Sequence, residues 1–387
     1  MDKKELELYI HIPFCVKKCS YCDFLSAPAT EQTREAYMAA LFAEIGGRAK
    51  NYKDRIVTSI FIGGGTPSLL SGEQGGKLMD HIRKQFVLAP DAEITMEVNP
   101  GTATAQKLRD FHAVGINRLS IGMQSAQAQE LRMLGRIHDF EDFCQGYREA
   151  VEAGFTNINV DVMSGLPGQT LAGYRDTLEK VLHLEPMPQH ISAYSLIVEE
   201  GTPFAVMAER GQLPLPEEDV ERAMYEETIE VLEKYGFHRY EISNYARDGY
   251  ECRHNVGYWI RRDYLGFGIG AASLIDNVRF QNGRDLAAYL AHPLDCREEE
   301  QSLTTQEQME ETLFLGLRLT KGVSYDAFAR QYGSSLQEIY GEVIARNVAD
   351  GLLQVTEGKE NEKSGRYLAL TKRGLDLSNY VMAQFLF

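Results

Sequence analysis

Between residues 5 and 196 the chain alternates two hydrophobic periods, and this rhythm limits its fold more than any other feature. Residues 5–12 (ELELYIHI), 56–62 (IVTSIFI), 92–98 (AEITMEV), 118–122, 157–163 and 189–196 read as strands. Between them, 31–50, 73–88, 104–114, 140–153 and 170–183 read as helices, with Tyr37, Leu41 and Ile45, or Leu78, Ile82 and Phe86, on one face. Gly115 and Gly154 stand where two of these helices should end, as C-caps. Strands alternating with helices form βαβ units, and such units build a parallel sheet. Six units fall short of the eight that close a barrel. The expected fold class is therefore α/β, a partial (βα)6 TIM-like barrel with an open side and room for a large ligand.

Residues 197–300 are less regular. Pro214 and Pro216 introduce a helix at 217–235, followed by HNVGYW at 254–259 and a glycine-rich stretch from Gly266 to Gly270. From about 302 the texture changes to helices at 304–319, 324–332 and 336–350, strands at 352–356 and 366–370, and a helix at 371–384. Three helices and a two-stranded wing predict a C-terminal helical, winged-helix-like domain. Residues 301–387 hold nine Lys and Arg against eleven Asp and Glu, so a packing role is expected there rather than DNA reading. The expected divisions are 1–200 for the barrel, 201–300 for an extension carrying the HNVGYW segment, and 301–387 for the helical domain.

The net charge of −16 lacks the clustered positive charge of a nucleic-acid or anionic-membrane binder. No apolar run approaches a membrane span, and MDKKELELYIHI has neither an apolar h-region nor a small-residue cleavage site. A cytoplasmic protein is expected. Six cysteines among 387 residues are too few for a disulfide scaffold, yet three of them fall within eight positions.

Polar and glycine chemistry collects at the C-terminal ends of successive strands, the face where barrel active sites sit. Cys15-x3-Cys19-x2-Cys22 follows the first strand, and Gly63-Gly64-Gly65-Thr66-Pro67 follows the second. Glu97 and Asn99 end the third, Gln124 follows the fourth, Asp161 lies in the fifth, and Tyr194 and Ser195 close the sixth. Three thiolates with His11 could form a Cys3His zinc site. A four-iron cluster is the other option: it normally takes four thiolates, so three leave one iron open for a chelating small molecule. The glycine run lacks the Lys-Ser/Thr that ends a P-loop, and a plain turn would also explain it.

The cysteine spacing, together with the glycine run, resembles the radical S-adenosylmethionine (SAM) superfamily. TMEVNPG (95–101), SIGMQS (120–125), LGRIH (134–138) and NVDVMSGLPGQT (159–170) are similar to segments of the anaerobic coproporphyrinogen-III oxidase-like family. The resemblance implies a [4Fe-4S] cluster on Cys15, Cys19 and Cys22, with SAM on its open iron. It implies that Gly64, Gly65 and Thr66 receive the SAM amino group, and that Glu97, Gln124, Arg136 and Asp161 contact SAM. Tyr9, Tyr21, Phe24, Ile197 and Ala272 match further cofactor-lining positions. Reduced by an external electron donor, such clusters cleave SAM to methionine and a 5′-deoxyadenosyl radical.

Within that family the oxidases carry a fourth cysteine where this chain has Phe24, and a segment before the first strand where Tyr9 here arrives almost at once. Both departures, and the HNxxYW pattern in Cys252–Trp259, resemble the HemW branch, the heme chaperones. That branch implies heme as a ligand and apo-haemoproteins such as respiratory enzymes as recipients. His254 is then a candidate heme contact, Cys252 a competing one, and Trp259, the only Trp, a reporter of heme docking. No catalytic residue is assigned. An oxygen-independent coproporphyrinogen III oxidase is the alternative, and a zinc-dependent structural or DNA-binding protein the third. Peripheral membrane contact and a homodimer stay open.

Overall fold

The computed structural model describes residues 3–360 and 363–386. Its first strand, β1 (Lys4–Ile12), shows how the wall is made. Leu6, Leu8, Ile10 and Ile12 are fully buried on one face, while Glu7, Tyr9 and His11 occupy the other. Successive strand residues face opposite ways, so one face packs on helices and the other lines a lumen. β1 pairs in parallel with β2 (Arg55–Gly64), which pairs with β3 (Leu88–Val98). The series continues through β4 (Arg118–Gln124), β5 (Ile158–Ser164) and β6 (His190–Ser195), all parallel. These are the six strands the periodicity predicts, shifted by a few residues at their ends.

The outer helices are α1 (Glu31–Arg48), α2 (Gly72–Gln85), α3 (Ala105–Ala113), α4 (Ala128–Leu134), α5 (Phe140–Glu152) and α6 (Leu171–Leu182). Thr30, Ser71, Thr104, Asp139 and Thr170 each accept a backbone N–H as N-caps, which fixes where α1, α2, α3, α5 and α6 begin. The short α4 was not foreseen. It ends at Gly135, whose left-handed φ of 74° turns the chain toward Arg136.

The less regular region holds α7 (Pro203–Glu209), α8 (Glu218–Lys234), β7 (His238–Arg239), β8 (Asn244–Ala246) and α9 (Arg253–Trp259). It continues through β9 (Tyr264–Phe267), β10 (Ala272–Ile275), β11 (Val278–Asn282), α10 (Leu286–Ala291) and β12 (Arg297–Ser302). β9 adds to β1 in parallel, so the parallel wall has seven strands rather than six. β10 to β12 extend it antiparallel on one side, and β8 and β7 on the other. The resulting order, β12-β11-β10-β9-β1-β2-β3-β4-β5-β6-β8-β7, has two free edges and remains an open barrel.

HNVGYW, expected only as a motif, is the helix α9, and it packs against the lumen side of the wall. Its N-terminus is seated on Glu93 of β3, whose carboxylate accepts the N–H of Arg253 at 3.1 Å and of His254 at 3.2 Å. Gly257 comes so close to Glu7 of β1 that a Cβ there would lie 1.9 Å from its carboxylate. α9 thus floors the barrel.

Beyond it lie α11 (Thr305–Gly316), β13 (Val323–Ser324), α12 (Tyr325–Tyr332), α13 (Leu336–Ala349), β14 (Leu353–Glu360), β15 (Lys363–Leu370), α14 (Lys372–Asp376) and α15 (Ser378–Ala383). Leu313, Phe328, Leu336, Tyr340, Leu368 and Phe385 form a core of their own here. Three helices with the antiparallel sheet β13-β15-β14 make the winged-helix-like arrangement. The single helix expected at 371–384 is two, because Leu377 leaves helical dihedrals at φ −115°, ψ 26°. Among the described residues, no helix is long and apolar enough to cross a membrane.

Candidate functional site

At the C-terminal ends of the parallel strands a cavity of about 600 Å³ opens into the lumen. The loop after β1 brings all three clustered cysteines to it, each partly exposed. Backbone bonds hold that loop: Cys15 N–H to Ala27 O at 3.1 Å, Ala27 N–H to Pro13 O at 2.9 Å, and Ser20 N–H to Leu134 O at 2.9 Å. Phe204 of α7 donates to Ser20 O at 3.0 Å from the far side. The thiols are therefore presented rather than used to fold the loop. Thr66 donates to Cys15 Sγ at 3.4 Å and Arg136 to Cys19 Sγ at 3.8 Å, so two sulfurs already face donors suited to a thiolate.

The glycine run ends β2. Gly64 has φ +115°, and a Cβ on Gly65 would stand 2.7 Å from the carbonyl of Phe14, so neither position admits a side chain. Gly64 N–H donates to Glu97 Oε2 at 2.9 Å. Among the described residues Glu97 forms no ion pair, and its carboxyl is pushed up to about 8, by burial first and then by the nearby Asp161, against the Gly64 bond. Asp161 accepts from Asn159 Nδ2 at 2.7 Å and is also raised, chiefly by burial. Two buried carboxyls thus face one cavity, and Arg118 and Arg136 hold the Asp161 carboxyl down against that burial.

Arg136 follows the glycine turn after α4, donates to Asn99 Oδ1 at 2.9 Å and to Gly122 O, and so ties the ends of β3 and β4 together. Gln124 holds a left-handed φ of 70°, uncommon outside glycine, and accepts from Tyr194 at 2.9 Å. Tyr21 packs with Leu134, Met163 and Phe204 beside the cysteines. Phe24 and Ile197 line the rim at 66% and 68% exposure and give it an apolar edge.

Not every predicted position meets there. Tyr9 lies behind the lining, stacked on Phe61 at 6.4 Å and bonded to His11 Nδ1 at 2.9 Å. His11 gives its other nitrogen to Leu25 O at 2.9 Å, so neither nitrogen is left for a metal. Ala272 is exposed at the start of β10, outside the cavity lining. His254 is buried in the floor, stacked under Phe61 at 5.3 Å, with Nδ1 bonded to Ser59 at 2.8 Å and Nε2 to Tyr258 at 3.1 Å. Burial, then Arg118 and Arg262, holds its pKa down at about 3. The Cys252 thiol is fully buried and pushed up to about 12. Trp259 sits under Arg318 of the C-terminal region at 4.4 Å, away from the cavity.

The floor was missed. Arg118, Asn159, Ser192, Asn244 and Asn255 line the deep end of the cavity. Strand parity was the available signal, since Arg118 shares its face with Ser120, Gly122 and Gln124 of β4.

The residues suit the implied groups. Among the described residues no three His, Cys, Asp or Glu side chains converge on a single metal ion, and the three thiols share one loop at the mouth of the cavity. The glycine cradle and the two buried carboxyls leave room and polar partners for a small ligand beside the cysteines.

Residues 9–181 match the model of the radical SAM superfamily, and residues 303–377 that of the HemN C-terminal domain. The heme chaperone HemW of Bacillus subtilis is 40% identical over 98% of both chains. That of Lactococcus lactis is 35% identical over 100% of this chain and 98% of its own. Among solved structures, the radical SAM enzyme coproporphyrinogen III oxidase (HemN) from Escherichia coli superposes with a TM-score of 0.83 at 26% identity, covering 100% of this chain and 91% of that one. The chain belongs to the radical SAM superfamily, in the coproporphyrinogen-III oxidase-like family and its HemW branch.

Proposed function

We propose that this chain is a heme chaperone that binds a [4Fe-4S] cluster, SAM and heme, and delivers heme to apo-haemoproteins such as respiratory enzymes. The observation that carries this reading is end-to-end similarity to a heme chaperone, 40% over 98% of both chains, against 26% to the oxidase structure. Cys15, Cys19 and Cys22 would hold the cluster, which when bound supplies single electrons and an iron open to SAM. Thr66 and Arg136, which donate to Cys15 and Cys19, would support those sulfurs as cluster ligands. Glu97 and Asp161 would face the positive charges of SAM, and the Gly64–Gly65 backbone leaves room for its amino group. The apolar rim of Phe24 and Ile197 offers a flat hydrophobic ligand a landing edge.

The test is a heme titration of anaerobically reconstituted protein, then transfer to an apo-haemoprotein with and without SAM. Saturable binding and transfer are expected. A parallel incubation with coproporphyrinogen III, SAM and reductant should yield no protoporphyrinogen. Robust formation of it would make the chain an oxidase.

A further inference from the structure

Arg118 begins β4 at the deep end of the cavity and is 2% exposed. Among the described residues it enters no ion pair, and its Nε has no hydrogen-bond partner. Glu93 and Asp161 act on it from beyond ion-pair distance, and both are engaged elsewhere. Glu93 is committed to α9, accepting from the backbone of Arg253 and His254 and from the Cys252 thiol at 3.5 Å. Asp161 is turned to Asn159 and Ser120. A guanidinium cannot shed its proton, so unlike a buried carboxyl it has no way to become neutral. A buried charge left unpaired is costly, by several kcal/mol per ion. Asn244 Oδ1, buried on the same floor, also lacks a partner. The lower cavity thus presents a guanidinium whose Nε–H has no acceptor beside a buried, unpartnered amide oxygen.

We propose that Arg118 anchors a carboxylate subsite at the floor of the cavity. Under the heme-chaperone reading, on which this part rests, the carboxylate is a heme propionate, because a planar fork of N–H donors matches a carboxylate in a way one ammonium does not. A SAM carboxylate has the same chemistry, and the test separates the two.

Reconstituted wild type, Arg118→Met and Arg118→Lys are titrated with heme and with heme dimethyl ester, and separately with SAM and decarboxylated SAM. Iron content and circular dichroism check each preparation. Wild type should bind heme at least about tenfold tighter than its ester, the worth of one charge-assisted pair. Arg118→Met should level the two, and Arg118→Lys should restore part of the difference. If only the SAM pair loses its discrimination in Arg118→Met, the carboxylate held is that of SAM. The assignment falls if Arg118→Met keeps both wild-type discriminations, or if wild type makes neither. Should Arg118→Met not fold, the wild-type comparison and Arg118→Lys still decide. A wild type that binds no heme at all sinks the chaperone proposal, while the SAM pair still judges Arg118.

Discussion

Glu97 titrates where a carboxyl rarely does. Its ordinary pKa is 4.5, and in the fold it is about 8. Between those values the unfolded chain releases a proton that the folded chain keeps, so the contribution to stability is lost as pH rises from about 4.5 to 8. Glu97→Gln still accepts from Gly64 and does not titrate. Without cofactors, the variant should match wild type in urea midpoint near about pH 4.5 and exceed it above about pH 8. Parallel midpoints across that range would contradict the raised pKa. Gln124 tests a different cost. A non-glycine residue at its φ of 70° carries strain on the order of 1 kcal/mol. Gln124→Gly relieves that strain but strips the Tyr194 hydroxyl of its acceptor, so stability should change by no more than about 1 kcal/mol, while SAM binding weakens about tenfold, the loss of one good polar contact. Unchanged SAM affinity would remove Gln124 from the site.

At the scale of elements, the cysteine loop and α9 make opposite predictions. The loop is built from backbone bonds to Ala27, Pro13, Leu134 and Phe204, not from its thiols. Cys19→Ala should therefore keep its circular dichroism and lose the intact cluster, read as iron and sulfide per chain; a full complement of iron would contradict the ligand assignment. His254, by contrast, is part of the floor. Replacing it with Ala removes the stack on Phe61 and leaves the Ser59 and Tyr258 hydroxyls unpaired, a cost of about 3 kcal/mol in denaturant unfolding. Were heme affinity to fall while the midpoint stayed put, His254 would be a heme ligand, and α9 would have to withdraw to expose it. The cysteine spacing and the glycine run were legible because each is local. α9 was not: seven residues are too few for a helical period, and its seat is Glu93, some 160 residues away. The four-residue strands β9 and β10 were hidden for the same reason.

Across the whole molecule, the C-terminal region is fastened to the barrel by polar contacts. Arg318 covers Trp259, Arg261 pairs with Glu311 at 3.0 Å, and Arg222 with Asp376 at 2.8 Å. Trp259 consequently reports this junction rather than the cavity. Arg318→Ala should shift Trp259 emission to the red and cost about 1 kcal/mol, the worth of a partly shielded cation–π pair. An unchanged spectrum would mean the junction holds without it. The six-strand rhythm and the change of texture near residue 302 were readable in the chain, since hydrophobic period records which face is covered. Which units share an edge, as β9 and β1 do, depends on pairing some 257 residues apart, from Glu7 to Tyr264, and no local pattern carries it.

With α9 set across the lumen, the cavity has a floor, and Phe24 and Ile197 stand at its rim. The register sets Arg118 two residues below the level of Glu97, so a molecule resting on the floor lies beneath one held against Glu97.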